Sequence, residues 1–256
     1  MQLAYNSNMG IANPGMIADA SYDMIESFQA FEVINIGVGV IKVNGSDYQG
    51  RLPRANKAKI VFSGDFSGTD AFTITINGTA TSSTVYGVSN AATVAAVVAK
   101  LNALTTLVSL AAIDTTDTAN HTINITTLEG TDAIASYTAT VGSITATVTK
   151  GSSDVLEGIS VSTMAKEETL GTLLVQFKVG EAIPVMRKGK IYVLPSVAVS
   201  SGDPVYCRFY VDGTGLMLPG SFGNVNTDGL STLVGSALWK TTAVAGAPAI
   251  IEINRP

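Results

Sequence analysis

Residues 183–209 read IPVMRKGKIYVLPSVAVSSGDPVYCRF, and this stretch carries the clearest β signature in the chain. Val185 and Met186 run into the polar segment Arg187-Lys188-Gly189-Lys190. Ile191, Val193 and Val197 to Val199 then supply apolar, β-branched side chains suited to a pleated sheet. The expectation is a hairpin followed by a returning strand. Ser200-Ser201-Gly202-Asp203-Pro204 is a second tight turn. After it, Val205, Cys207 and Phe209 alternate with Tyr206, Arg208 and Tyr210, which buries one face and leaves the other polar and aromatic.

Composition narrows the classes outward from this core. Of 256 residues, 46% are hydrophobic but only 14% are charged, against about 25% in ordinary soluble domains. A surface so short of charge is weakly protected against association, so coverage by further copies or by a partner is expected. The net charge of −5 and the pI near 4.8 oppose nucleic-acid binding, because the 15 Lys and Arg are scattered and form no basic patch. A single cysteine, Cys207, rules out an internal disulfide framework and a multi-thiolate zinc site. Met1 to Gly10 lacks a basic segment followed by an apolar one, so no signal peptide is expected. Lys100, Asn102, Thr105 and Thr106 interrupt the most apolar segment, Val94 to Ile113, and no membrane span is expected there.

Taken in order, the chain opens with a dozen residues that read as an arm ordered on a partner. Leu3, Tyr5, Met9 and Ile11 alternate with polar neighbours, a period of two that suits a strand added to another sheet. These four are the candidate contact residues. Asn13-Pro14-Gly15 is a turn, and Met16 to Ala18 suggest a short strand ending at Asp19. Phe31 to Val43 reads as a continuous β run in which Gly37 and Gly39 imply close backbone approach or a bulge.

From Lys57 to Lys150 the composition changes. Thr occurs 21 times in these 94 residues and 8 times in the other 162, while every Pro, Met and Arg lies outside. The break predicts a Thr-rich domain inserted between two parts of one discontinuous domain, residues 1–56 and 151–256, with the ends of the insert close together. Within it Phe72, Ile74 and Ile76 alternate with Thr73 and Thr75, and Asn77-Gly78 is a tight-hairpin signal. Ser89 or Asn90 caps a helix to about Leu104, with Val94, Val97, Val98, Leu101 and Leu104 on one face. Strands are expected at Thr122 to Thr126, Ala135 to Val141 and Ile144 to Thr149, and later at Asp154 to Met164, Leu173 to Val179, Leu233 to Leu238 and Ala249 to Ile253. The fold class is mainly β: a discontinuous β-barrel or β-sandwich-like core domain with an inserted small α+β domain, a sheet plus one helix.

Asn8-Met9-Gly10 through Pro14-Gly15-Met16-Ile17-Ala18-Asp19, the Ile34 to Val40 run, Arg187-Lys188-Gly189-Lys190-Ile191-Tyr192-Val193, and Ala198-Val199-Ser200-Ser201-Gly202-Asp203-Pro204-Val205-Tyr206 together resemble the structural cement proteins of tailed bacteriophages. The resemblance covers about residues 1 to 55 and 155 to 256. The stretch from Lys57 to Lys150 is similar instead to Thr-rich modules grafted into phage virion proteins. It implies a non-enzymatic protein made in the host cytoplasm that binds the outer surface of the assembled capsid and stabilises it. The implied partners are the major capsid protein and further copies of the chain, as a trimer or otherwise a dimer. The alternative is a virion surface module binding a host receptor or glycan through the inserted domain.

No catalytic, cofactor or metal site is expected. His121, the only histidine, sits in a polar strand with no nucleophile nearby and reads as a surface residue. Asp19, Asp23 and Glu26 lack the spacing of a calcium loop. Gly64 to Gly68 lacks the Lys-Ser/Thr of a phosphate loop and reads as a hairpin turn. Trp239 reads as core.

Overall fold

The computed structural model describes residues 13–119, 121–142, 144–163, 176–210, 218–226 and 229–254. The strands are β1 (Ile17–Ala30), β2 (Ile34–Asn35), β3 (Gly39–Lys42), β4 (Gln49–Arg51), β5 (Lys57–Phe62), β6 (Ala71–Ile76), β7 (Thr79–Ala80), β8 (Thr84–Val85), β9 (Val108–Ile113), β10 (Thr122–Thr127), β11 (Ala135–Val141), β12 (Ala146–Gly151), β13 (Leu156–Ser160), β14 (Gln176–Phe177), β15 (Ala182–Val193), β16 (Pro204–Arg208), β17 (Phe222–Gly223), β18 (Ser231–Trp239) and β19 (Ala249–Asn254). The helix α1 (Asn90–Asn102) falls between β8 and β9. The fold is mainly β. Two compact units divide the chain, one of Met1–Pro53, Val155–Thr227 and Ser231–Pro256, the other of Arg54–Asp154 with Asp228–Leu230.

The first unit is built on a nine-stranded sheet in the order β1-β4-β3-β13-β15-β19-β18-β16-β17. Its spine is β15, and here the hairpin expectation fails. Arg187 to Lys190 does not turn, because β1 runs antiparallel along β15 from Ile17↔Ile191 to Gln29↔Ala182 and keeps it extended. Four residues of β1, Ala20 to Asp23, lie between the pairs Asp19↔Lys190 and Met24↔Lys188, so the misfit is absorbed as a bulge opposite Gly189. The other edge of β15 is shared by β13 at Val185 and Met186 and by β19 from Lys188 to Val193. Because β1 also pairs with β4, the ladder β1-β4-β3-β13-β15 returns on itself, while β19, β18, β16 and β17 continue outward. The expected mainly β class therefore holds, and of the barrel or sandwich-like forms expected for the core the closed barrel is not found, because the sheet as a whole stays open.

Two further sequence expectations are revised in this unit. The strand at Met16 does not end at Asp19 but continues to Ala30, because β15 offers partners to Ile17, Asp19 and Met24 to Gln29 on either side of the bulge. Val197 to Val199 is not a strand. It holds one bridge, Val199 to Ala243. The alternation after Pro204 does bury Val205, Cys207 and Phe209, and Arg208 is buried with them. Gly39 is a close approach, since a Cβ there would lie 2.6 Å from Cys207 Sγ. Trp239 is fully buried, and its Nε1–H donates to the Gly223 carbonyl at 3.2 Å. It packs in a core with Ile191, Val193, Val205 and Ile251, and Phe28, Ile34, Phe177 and Ile183 form a second cluster.

The second unit contains the sheet β12-β5-β10-β9 and a second sheet of β11, β6, β7 and β8, so it has two sheets where one was expected. Both sheets and α1 contribute to one core. The Gly64 to Gly68 segment is not a hairpin turn, because it joins β5 of one sheet to β6 of the other and buries Phe66 between them. Asn77 and Gly78 both take positive φ, 49° and 82°, which suits the tight turn from β6 to β7. Ser89 caps α1 by accepting the Ala92 N–H at 3.2 Å, and Thr93, Val94, Val97 and Leu101 face the core. At the base of this unit Asp154 accepts from the Arg54 N–H at 2.8 Å and from Asn56 Nδ2 at 3.0 Å, so its two ends lie side by side.

Candidate interaction surface

Apolar groups that the alternation leaves outside mark the first candidate surface. Phe28, Ala30, Ile34 and Phe177 point inward and are buried. Their neighbours Phe31 and Val33 fall on the opposite parity and remain 44% and 46% exposed. Backbone bonds gather other segments around the end of β1. Gln29 N–H donates to the Tyr48 carbonyl at 2.6 Å, Phe31 N–H to Gly50 at 2.9 Å, and Gly180 N–H to Ala30 at 2.8 Å. Tyr48 and Val179, 65% and 66% exposed, lie on the segments that these bonds join to the end of β1. Four exposed apolar side chains on segments joined in this way offer area suited to burial against another protein.

A groove of about 530 Å³ lies elsewhere on this unit, lined by Asp19, Asp23, Lys190, Leu238 and Glu252 among others. Its charges are largely internally matched. Lys190 Nζ meets Asp19 at 3.3 Å and Lys240 Nζ meets Glu252 at 2.9 Å. Arg187, beside the bulge, is held by Glu26 at 2.9 Å and Glu157 at 3.5 Å. Burial, followed by the neighbouring Asp19 charge, pushes the Asp23 carboxyl above its ordinary range. The ion pairs of Arg187 and Lys190 pin β1 to β15.

In the second unit His121 is not a lone surface residue. Its Nε2 lies 3.0 Å from Asp65 Oδ1 and 3.0 Å from Asn90 Nδ2, and its backbone N–H donates to Asp117 at 2.8 Å. Hydrogen bonds from Asn90 and then His121 hold Asp65 below the usual carboxylate range. These bonds tie the β5–β6 loop, the start of α1 and the start of β10 together. Phe62, Phe66, Phe72 and Tyr137 pack against one another at centroid distances of 4.9 to 5.8 Å, edge-on, tilted and, for Phe66 and Phe72, stacked, with Tyr137 at the margin of the core. They are unavailable as a receptor- or glycan-binding platform. Among the described residues no group of three or more His, Cys, Asp or Glu is placed to hold a metal ion, and no helix is long and apolar enough to cross a membrane.

The contact residues expected from sequence, Leu3, Tyr5, Met9 and Ile11, lie outside the described residues. Sequence reasoning passed over Phe31, Val33, Tyr48 and Val179. For the first two a signal was present, since each is a large apolar residue on the solvent parity of the run from Phe28 to Ile34. Nothing local signals that the segments carrying Tyr48 and Val179 bond to the end of β1.

Comparison with known proteins adds three findings. The family described as Structural cement protein (E217 gp24/Pam3 gp6) matches residues 112–254. The match begins within β9 and takes in β10 to β12, which the resemblance read from sequence had left out. A solved structure described as "The capsid of Myoviridae Phage XM1" is similar at 9% identity and a TM-score of 0.48, covering 99% of this chain and 98% of that one. No curated protein matches.

Proposed function

The chain belongs to the phage structural cement protein family, matched over more than half its length, and on that premise we propose that it is a capsid cement that binds the outer surface of the assembled shell and stabilises it. Membership of that family supports a structural role with the virion capsid, and a non-enzymatic one is part of this reading. The family match is the observation that carries this reading.

A cement works by burying area across capsid subunits, so that their separation must also expose that area. Two features support this. The chain is poor in charge, and Phe31, Val33, Tyr48 and Val179 expose apolar area on the first unit. Covering such half-exposed side chains contributes roughly 1 kcal/mol apiece, a modest term that many copies on one shell multiply. The arm with Leu3, Tyr5, Met9 and Ile11 adds a strand to a neighbouring subunit or to the major capsid protein, and the copies associate with one another on the shell.

The test is co-sedimentation of the purified protein with undecorated capsids of the same phage, followed by heating of the decorated shells. Decoration should raise the temperature at which shells open. The double variant Phe31→Asp, Tyr48→Asp should bind at least tenfold more weakly while its own melting is unchanged. Failure of the wild-type protein to bind capsids would overturn the reading.

A further inference from the structure

β11 is an edge strand, and its hydrogen-bonding pattern can be read residue by residue. Asn77 N–H donates to the Ile134 carbonyl, and the register with β6 runs Ala135↔Ile76, Ser136↔Thr75, Tyr137↔Ile74, Thr138↔Thr73. In an antiparallel ladder, bonded and non-bonded pairs alternate. Ser136 and Thr138 therefore turn their main-chain groups toward β6, while Ala135, Tyr137 and Ala139 turn theirs outward. Among the described residues these outward N–H and C=O groups meet no strand.

Open edges of this kind are usually blunted by charge, proline or a covering group. Comparable edges of the unit carry such protection. On β9, the Asn102 side chain accepts the Ala111 N–H at 2.7 Å and donates to the Ala111 carbonyl at 3.0 Å. On β12 there is Lys150. β11, ASYTATV, has no charge and no proline, and neither has its partner β6, AFTITI. Its one irregularity is a register shift between Ala139 and Val141.

We propose that β11 pairs antiparallel with β11 of a second copy about a two-fold axis at Thr138. The sequence is self-complementary in that register. The outward groups of Tyr137 meet those of the partner's Ala139, so each pair exchanges two backbone hydrogen bonds. On one face the Tyr137 ring lies beside the small side chain of the partner's Ala139. On the other, Thr138 faces the partner's Thr138 and Ser136 faces the partner's Thr140, all hydroxyl pairs. Neither β11 nor β6 brings a charge to the axis, so two copies of a chain of net charge −5 meet there without like charges opposed. The contact is isologous and closes at two subunits, which makes the pair a dimer where sequence reasoning put a trimer first. It does not depend on the cement reading.

Sedimentation of the full chain across a concentration series tests it. Wild-type protein should show a reversible dimer. Ala139→Pro removes an outward N–H without touching the β6 ladder, and Thr138→Lys sets two like charges face to face at the axis. Each should weaken dimerisation at least tenfold with an unchanged circular dichroism melt. Thr138→Cys should cross-link copies under mild oxidation, since Cys207 is buried. Self-association unaffected by the Pro and Lys variants, or a wild-type monomer with no Thr138→Cys cross-link, overturns the proposal. The same variants assayed on capsids separate the two readings: a monomer that decorates shells sinks only the dimer, and a dimer that ignores shells sinks only the cement.

Discussion

Gly142 occupies a place that no other residue can take without a rearrangement. Its φ is +102°, and a Cβ built there would fall onto the carboxylate of Asp70. Asp70 cannot easily yield, being buried with Oδ2 bound to the Ser67 N–H at 2.6 Å and to the Ser67 hydroxyl at 3.0 Å. Gly142→Ala should destabilise the second unit by about 2 kcal/mol through backbone strain and displacement of that carboxylate, lowering Tm by roughly 10 °C for about a hundred residues. Asp114 makes a separate prediction. Its carboxyl is lowered to about 2, first by the Thr116 hydroxyl, then by the Thr116 N–H, with smaller help from Asn124 and Lys59. A folded value below the ordinary 3.8 means that the stabilisation is complete above about pH 4 and is lost as pH falls toward 2. Asp114→Asn should therefore flatten the pH dependence of Tm between pH 4 and pH 2, as followed by circular dichroism.

Elements differ in how far their own residues specify them. The helix α1 was legible because capping and a 3.6-residue apolar spacing are local properties, and the structure begins it at Asn90 after the Ser89 cap. The turn from β6 to β7 was legible for the same reason. β1 was not, because IADASYDMIESFQA has no sustained period. What keeps it extended over fourteen residues is the ladder to β15. The polar segment Arg187 to Lys190 carries the residues of a turn, yet strands on both sides hold it straight. The N-terminal arm belongs to this scale too, with a period of two that calls for a neighbouring strand. Deleting residues 2–12 should leave Tm within about 2 °C of wild type, since surface changes rarely cost more than about 0.5 kcal/mol. Capsid decoration should fall at least tenfold, as read by co-sedimentation, and unaltered decoration would show that the grip lies elsewhere.

At the scale of the whole molecule the prediction concerns autonomy. The second unit has its own core, sixteen buried apolar residues among those described, and ends tied together through Asp154, so residues 54–154 expressed alone should unfold in one cooperative calorimetric transition. The rest of the chain, joined across the gap by a short linker, should still decorate capsids. A broad, non-cooperative melt of the excised unit would count against the division. What the sequence determined by itself was whatever depends on composition and near neighbours: the mainly β class, the change of character at Lys57 and Lys150, the capped helix, the Asn77-Gly78 turn, the inward parity of Val205 and Cys207, and the burial of Trp239. Only the tertiary structure decided that β1 and β15 run together without a turn, that the nine-stranded sheet stays open, that the segments carrying Tyr48 and Val179 bond to the end of β1, and that β11 is left, among the described residues, with an unpaired edge. The physical reason is that strand partners are non-local. A side chain's parity is written along its own strand, but which backbone fills the hydrogen bonds on either side is settled by residues often more than a hundred positions away, as Ile17 and Ile191 illustrate.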